Sequence, residues 1–136
     1  MKEKSYGIIP YKVDFKKNEI KILLTKIHKQ AESYDFIKGK IEENETIKEC
    51  VVREVEEEVN IKLNENELED FILQKNKKKD IELFFVNFNG KDIDYSFFPN
   101  REIYVLEWFN ISDLPRISNN QNRIVTSILQ KFWKYR

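Results

Sequence analysis

The chain has 136 residues and carries 24 lysine and arginine residues against 24 aspartate and glutamate residues. This length suits one core, so we expect a single domain over residues 1–136. The 40% apolar fraction argues against disorder, and the 35% charged fraction indicates a strongly hydrated surface. Because the formal net charge is zero, no overall field favours nucleic acid or an anionic membrane, and we expect no DNA partner.

The first half of the chain contains strand-like segments followed by a helix. Segments 6–13 and 19–26 are rich in isoleucine, leucine, valine and tyrosine, and a polar turn between them predicts a hairpin. A loop at 27–34 and a short apolar element at 35–37 come next. The pattern at 46–59 is helical, with neither glycine nor proline inside.

The second half continues with strands and closes with a helix. Segments 71–76 and 80–88 read as antiparallel strands joined by a lysine turn, and 102–109 reads as a further strand. Apolar residues spaced along one face at 123–135 predict a terminal helix, whose basic and aromatic residues suit either RNA contact or packing. The sum is an α+β domain.

Other residues indicate the cellular compartment and exclude some kinds of catalytic site. The lone Cys50 cannot form an internal disulfide, and the first residues lack the apolar segment of a secretory signal. Apolar runs such as 83–86 are far shorter than the ~20 residues that cross a bilayer. We therefore expect a cytoplasmic protein without a membrane partner. Cys50 and His28 have no partner at catalytic or metal-ligand spacing, so neither is assigned a role.

The first predicted helix concentrates carboxylates on one side. Thr46 and Glu49 stand at capping-box spacing at its start. At about 100° per residue, Glu54, Glu57 and Glu58 fall within one arc beside an arc of valines. Like charges at this spacing repel, so a positive group should lie among them. Because magnesium prefers carboxylates, phosphates and water, the residues indicate a divalent cation site, and the alternative is a glutamate-rich solvent face.

The spacing of these residues resembles the signature of the Nudix hydrolases. The matching positions are Gly39, Glu45, Arg53-Glu54-Val55, Glu57-Glu58 and Ile61. This resemblance implies the α+β Nudix fold, a mixed sheet sandwiched between helices. Asn60 stands where the signature has its second glycine, and we expect Asn60 to adopt the left-handed conformation that ends a helix.

The resemblance also implies an activity and its residues. It implies Mg²⁺- or Mn²⁺-dependent hydrolysis of a phosphoanhydride bond in a nucleoside-diphosphate-linked substrate, with a carboxylate accepting the proton of water. The implied metal ligands are Glu54, Glu57, Glu58 and the backbone near Lys38 and Gly39. The implied catalytic residues are Arg53, Glu54, Glu57 and Glu102. In this scheme Arg53 orients a glutamate, and Glu45 supports the loop and the helix.

A narrower resemblance concerns the substrate. Segments 34–41 and 101–115 are similar to parts of the mRNA-decapping Nudix enzymes, which implies a capped or triphosphorylated RNA 5′ end as substrate. We assign Tyr34, Phe36 and Lys40 to substrate binding, and Glu102 to metal binding or general base catalysis.

Three alternatives remain open at this point. The short motif around Gly39 also occurs in dinucleoside polyphosphate hydrolases, so diadenosine tetraphosphate or a nucleoside triphosphate is an alternative substrate. A nucleotide- or RNA-binding module that does not cleave its ligand is the alternative from another functional class.

Overall fold

The computed structural model describes residues 2–75, 77–118 and 122–133, without the side chains of 122 and 123. Groups of strands are followed by single helices along these residues, and most strand pairs are antiparallel, which confirms the predicted α+β class. In chain order they are β1 (Glu3–Asp14), β2 (Glu19–Lys26), β3 (Ile37–Lys40), α1 (Ile47–Val59), β4 (Glu69–Lys75), β5 (Lys79–Asn87), β6 (Val105–Asn110) and α2 (Asn122–Lys131). Short 3₁₀ turns lie at Glu65–Glu67 and Tyr95–Phe97.

The long strand β1 organises the sheet. The strand order is β4-β5-β1-β2-β6, and β3 also pairs with β1. β1 runs parallel to β5 and antiparallel to both β2 and β3, so the sheet is mixed, as predicted. β3 pairs with the amino-terminal part of β1, at residues 5–8, and β2 pairs with its carboxyl-terminal part, at residues 11–14. The signature loop and the β1–β2 hairpin therefore lie at opposite ends of β1.

The two helices cover opposite faces of the sheet. Because side chains alternate along a strand, Ile8 packs with α1 while Ile9 packs with α2. We call these two surfaces the α1 face and the α2 face. Val51 and Val55 of α1 are fully buried on the sheet, and each such side chain contributes roughly 1.5–3 kcal/mol through burial. This packing confirms the predicted sandwich and fixes which side of α1 is left for the carboxylates.

Local signals set both ends of α1. Thr46 Oγ1 accepts from the Glu49 backbone N–H at 3.1 Å, and Glu49 Oε1 accepts from the Thr46 N–H at 2.8 Å. Asn60 adopts φ 58° and ψ 38°, the left-handed conformation predicted for it, and its N–H donates to the Glu56 carbonyl. The carboxylate-bearing turns are thus held between two caps.

The structure changes several predicted boundaries. The strand predicted at 102–109 begins only at Val105, because Asn100 Oδ1 accepts from the N–H groups of Glu102 and Ile103 at 2.9 Å each. β4 begins at Glu69, and residue 76 lies outside the described residues.

The terminal helix, described at Asn122–Lys131, packs on the sheet, which is one of the two uses predicted for it. Phe132 is a core residue with 1% exposure, so it belongs to no RNA-facing surface. Residues 134–136 and the side chain of 123, where basic and aromatic contacts were predicted, fall outside the described part of the chain. Among the helices that are described, none combines the length and apolar character needed to cross a membrane.

Candidate active site

Arg53 ties α1 to the loop that precedes it. Its Nε and Nη2 donate to the two carboxylate oxygens of Glu45 at 2.6 and 3.0 Å, and Nη2 also donates to the Lys40 carbonyl at 3.0 Å. The hydrogen bonds with Glu45, and after them the contact with Glu54, raise the pKa of the Arg53 guanidinium above its ordinary value. The bonds from Arg53, together with the Glu42 backbone N–H, lower the pKa of Glu45 to about 2. The geometry is that of a bidentate clamp, consistent with the support role predicted for Glu45.

This clamp predicts a dependence of stability on pH. The folded-state pKa of Glu45 lies below its ordinary value of 4.5, so its contribution is full above pH 4.5 and is lost as the pH falls towards about 2. Urea unfolding of the wild type and of Glu45→Gln, measured from about pH 5 to about pH 2, should show the wild type losing its advantage over that window. An advantage that stays constant across the window would contradict this assignment.

Arg53 also holds two of the predicted metal ligands. Its Nη1 donates to Glu54 Oε1 at 3.0 Å and to Glu57 Oε2 at 3.2 Å. Glu42 Oε1 lies 3.5 Å from the same nitrogen. One guanidinium therefore supplies the positive group expected among the carboxylates of α1.

Gly39 brings β3 against the carboxylate of Glu54. A Cβ atom built on Gly39 would overlap the Glu54 carboxyl group, so this side chain rests directly on the glycine backbone. The contact places the predicted backbone ligand beside the predicted carboxylate ligand.

Gly39→Ala should fold but lose activity. The three atoms nearest to the added methyl group all belong to the Glu54 carboxyl group, so the substitution displaces that carboxylate rather than the backbone. We expect kcat to fall by about 10²-fold, in line with the cost of a 1 Å misplacement at a catalytic centre, with a small change in Tm. Gly7→Ala is the contrasting variant, because its methyl group would collide with the Ile37 carbonyl and should lower Tm sharply. Full activity of Gly39→Ala would contradict the placement of Glu54.

Glu58 is the most perturbed carboxyl group of the site. Burial, the nearby charges of Glu54 and Glu102, and a hydrogen bond with Glu54 together raise the pKa of Glu58 to about 8. Lys38 opposes the shift. Burial raises the pKa of Glu54 too, although its contact with Arg53 counteracts the effect. Burial is the largest cause for both groups, so the cluster disfavours the charged form of Glu58 and of Glu54 when no cation is bound.

Glu102 approaches α1 through a residue that sequence reasoning missed. Asn100 Nδ2 donates to the Glu58 carbonyl at 3.2 Å, and its Oδ1 accepts from the Glu102 and Ile103 N–H groups. This side chain links the end of α1 to the bend that carries Glu102. An asparagine two residues before a candidate base is a typical Asx-turn signal, which the sequence did contain.

The predicted substrate contacts are not all brought to this cluster. Phe36 is 2% exposed and packs in the core of the α2 face, so its assignment to substrate binding is wrong in this structure. Tyr34 packs on the same face, with its hydroxyl 3.2 Å from Glu107 Oε1. Lys40 is exposed and pairs with Glu3 at 3.1 Å. Lys38, predicted as a backbone ligand, pairs through its side chain with Asp35 at 2.7 Å.

The buried Cys50 takes no part in this chemistry. Burial on the sheet raises the pKa of its thiol to about 11, so the thiol stays protonated at neutral pH. This environment agrees with the prediction that Cys50 has no nucleophilic role.

Comparison with known proteins identifies the family. The family model described as NUDIX domain matches residues 4–128. The chain belongs to the NUDIX domain family. Membership confirms the predicted enzyme class, a Nudix pyrophosphohydrolase, and the predicted fold.

Individual Nudix relatives differ in what they are named for. The chain is 29% identical over 103 residues to mRNA decapping complex subunit 2 of Schizosaccharomyces pombe. The aligned region covers 73% of this chain and 14% of that protein. The C. elegans Ap4A hydrolase in a binary complex has a similar structure, with a TM-score of 0.63, 18% identity and coverage of 98% of this chain and 96% of the other. A bifunctional NMN adenylyltransferase/ADP ribose pyrophosphatase of Francisella tularensis, solved with AMP and a manganese ion, is also similar. Its TM-score is 0.68 at 16% identity, and the match covers 97% of this chain and 42% of the other.

The Nudix family generally uses divalent ions such as Mg²⁺ or Mn²⁺, and the donor set here fits such an ion. All the clustered side-chain donors are carboxylate oxygens, the ligands that hard cations prefer. Burial is the main cause of the raised pKa of Glu58, and a cation bound beside this group would favour its ionised form. Among the described side chains, no three carboxylate, imidazole or thiol groups already converge as a finished ion site. Arg53 Nη1 lies between Glu54 and Glu57 and donates to both carboxylates.

Proposed function

We propose that this Nudix chain hydrolyses a phosphoanhydride bond in a nucleoside-diphosphate-linked substrate with Mg²⁺ or Mn²⁺, and that RNA 5′ ends, capped or triphosphorylated, are its first substrates. The observation that carries the proposal is the cluster of Glu54, Glu58 and Glu102 beside Gly39, with Arg53 holding its edge. The sequence similarity to a decapping subunit supports an RNA end as the substrate.

The carboxylates have distinct roles in this proposal. Glu54, Glu57, Glu58 and the backbone carbonyl of Lys38 or Gly39 would hold the ion, which when bound neutralises the diphosphate and makes water more acidic. Arg53 keeps Glu54 and Glu57 at fixed positions through its Nη1. Preorganisation of this kind lowers the cost of assembling the reacting groups.

The chemical step needs one proton acceptor. The oxygen of water forms a bond to one phosphorus atom, the bridging P–O bond breaks, and the water proton passes to a carboxylate. Glu57 and Glu102 are both exposed, and the charge of Glu102 acts on the half-buried Glu58, so we assign the proton to one of these two side chains. The leaving phosphate takes the electron pair of the broken bond.

A dinucleoside polyphosphate is the second candidate substrate. The observation that favours it is the structural likeness to the Ap4A hydrolase, which spans nearly the whole of both chains. A nucleoside triphosphate follows as a third substrate. In each case the anhydride chemistry at the carboxylates is the same, and only the groups that flank the phosphates differ.

A substrate panel tests the proposal. Purified protein is given triphosphorylated RNA, capped RNA, diadenosine tetraphosphate and nucleoside triphosphates with Mg²⁺ or Mn²⁺ in ¹⁸O-water, and products are identified by mass. We expect turnover of at least one RNA end, with ¹⁸O in a single phosphate product. Turnover of diadenosine tetraphosphate alone would show that a dinucleoside polyphosphate, and not an RNA end, is the substrate.

The rival function is a Nudix module that binds a nucleotide or RNA without cleaving it. That function predicts a rise in Tm when Mg²⁺ and nucleotide are added together, with no product in any reaction of the panel. This outcome would reject the hydrolase activity and support a binding function for the same site.

A further inference from the structure

The end of the β1–β2 hairpin forms a groove that the active site does not use. The groove has a volume of about 570 Å³. Four lysines line it, together with two acidic residues and one aromatic residue: Lys12, Lys16, Lys17, Lys21, Asp14, Glu19 and Phe15. In a chain of zero net charge, this is a local excess of positive charge.

Asp14 shapes the turn at the end of the hairpin. Asp14 Oδ1 accepts from the backbone N–H groups of Lys16 and Lys17 at 3.0 and 3.1 Å, so its carboxylate stabilises the turn. That turn leaves Phe15 73% exposed. A large exposed ring beside several lysines matches a ligand that has both phosphates and flat apolar rings.

The walls of the groove are held together by hydrogen bonds. Asn89 Oδ1 accepts from the Val13 N–H at 3.0 Å, and Asn89 Nδ2 donates to the Val13 carbonyl at 3.2 Å. These two bonds fix the loop after β5 to the hairpin. The groove is therefore a shaped site on paired strands, which reduces the entropy lost on binding.

The same face connects the groove with the active site. Lys12 lies on the α1 face, and its Nζ stands 4.6 Å from the centre of the Trp108 ring. Trp108 Nε1 donates to the Tyr95 hydroxyl at 3.0 Å, and Tyr95 is 52% exposed. The loop that holds Tyr95 continues to Glu102. Lys12, Trp108 and Tyr95 thus form a chain of contacts that leads from the groove towards the loop before Glu102.

The distance suits a short nucleotide chain. Tyr6 pairs with Gly39 at the active site, and Lys12 follows Tyr6 by six residues on β1. At about 3.3 Å per residue this separation is about 20 Å. A stacked strand places one phosphate every 3.4 Å or so, so roughly six nucleotides span it.

We propose that this groove binds the nucleotide chain of an RNA whose 5′ end lies at the carboxylate cluster. The inference rests on the proposed function, since it takes an RNA end as the substrate. Lys16 and Lys17 contact phosphates, and Phe15 stacks on a base. The groove raises affinity for long RNA over short nucleotides and leaves the cleavage chemistry unchanged.

Binding without turnover tests the inference. A Glu57→Gln background is titrated with a three-nucleotide and a twelve-nucleotide RNA, both 5′-triphosphorylated and labelled at the 3′ end, over a range of salt concentrations. We expect the longer RNA to bind at least about tenfold more tightly. Adding Lys16→Gln and Lys17→Gln should lower the slope of log affinity against log salt by about 1.4, at 0.7 for each phosphate contact. Phe15→Ala should lower the affinity for the longer RNA about tenfold without changing that slope.

A charge-matched control separates the groove from general electrostatics. Lys62→Gln with Lys75→Gln removes two exposed lysines outside the groove and should leave the affinity and salt slope for the longer RNA unchanged. Equal binding of both RNAs, or groove variants that retain affinity and slope, would overturn the inference. If RNA fails to bind while diadenosine tetraphosphate is hydrolysed by the wild type, the groove proposal fails and the reaction class stands. If neither RNA binding nor hydrolysis of any substrate is seen, both proposals fail.

Discussion

Replacing Glu58 by glutamine should lower kcat by about 10³-fold, which corresponds to about 4 kcal/mol of lost transition-state stabilisation. The amide keeps the shape of the side chain but removes its charge and its affinity for a divalent ion. Glu58 is also the carboxyl group at which burial and the neighbouring charges of Glu54 and Glu102 oppose ionisation most strongly. Because a carboxyl group with a pKa of about 8 is mostly protonated at neutral pH, the neutral amide should leave Tm nearly unchanged when no metal is added. The measurement is kcat, KM and Tm of the purified variant with Mg²⁺.

Glu56→Gln is the matched control for this loss. Glu56 lies on the same helix and is exposed, and it is not among the signature positions. We expect wild-type kcat from Glu56→Gln and a loss like that of Glu58→Gln from Glu57→Gln. A kcat for Glu58→Gln within a few-fold of wild type would show that the cluster does no chemistry.

Replacing Arg53 by lysine should reduce both activity and stability, although the positive charge is kept. A single ammonium group cannot bond Glu45 in bidentate fashion while also reaching the Lys40 carbonyl and Glu54. We expect kcat to fall by about 10²-fold, because Glu54 loses its restraint. We expect Tm to fall by about 5 °C, because the clamp between α1 and the preceding loop is broken. Activity assays and thermal unfolding measure the two effects separately.

Arg116→Lys is the control for the loss at Arg53. Arg116 is exposed and lies outside the carboxylate cluster, so the same chemical change there should alter neither kcat nor Tm. If Arg53→Lys kept wild-type kcat and Tm, a single positive charge at this position would be sufficient, which would contradict the role given to the guanidinium group.

The parts of the site that the sequence predicted are those set by local signals. The helix caps at Thr46 and Asn60 depend on residues within one turn, and the carboxylate arc depends only on helical periodicity. The structure places all of these as the sequence indicated. The pairing of Arg53 with a glutamate likewise follows from residues on or next to one helix.

Features that depend on distant contacts were not predictable in the same way. The side chain of Phe36 alternates onto the buried α2 face, and only the pairing of β3 with β1 decides which face that is. Glu102 lies in a bend because Asn100 takes up the backbone N–H groups that a strand would have used. The groove beside Phe15 forms only when the loop at Asn89 meets the hairpin, which no local pattern encodes.

Titration of the protein with Mn²⁺, followed by electron paramagnetic resonance, tests the central claim most directly. The account predicts bound Mn²⁺ in the wild type and in Glu56→Gln, with an affinity at least about tenfold lower in Glu54→Gln and Glu58→Gln. Equal Mn²⁺ affinity in all four proteins, or no bound Mn²⁺ in the wild type even with a non-hydrolysable diphosphate present, would contradict it.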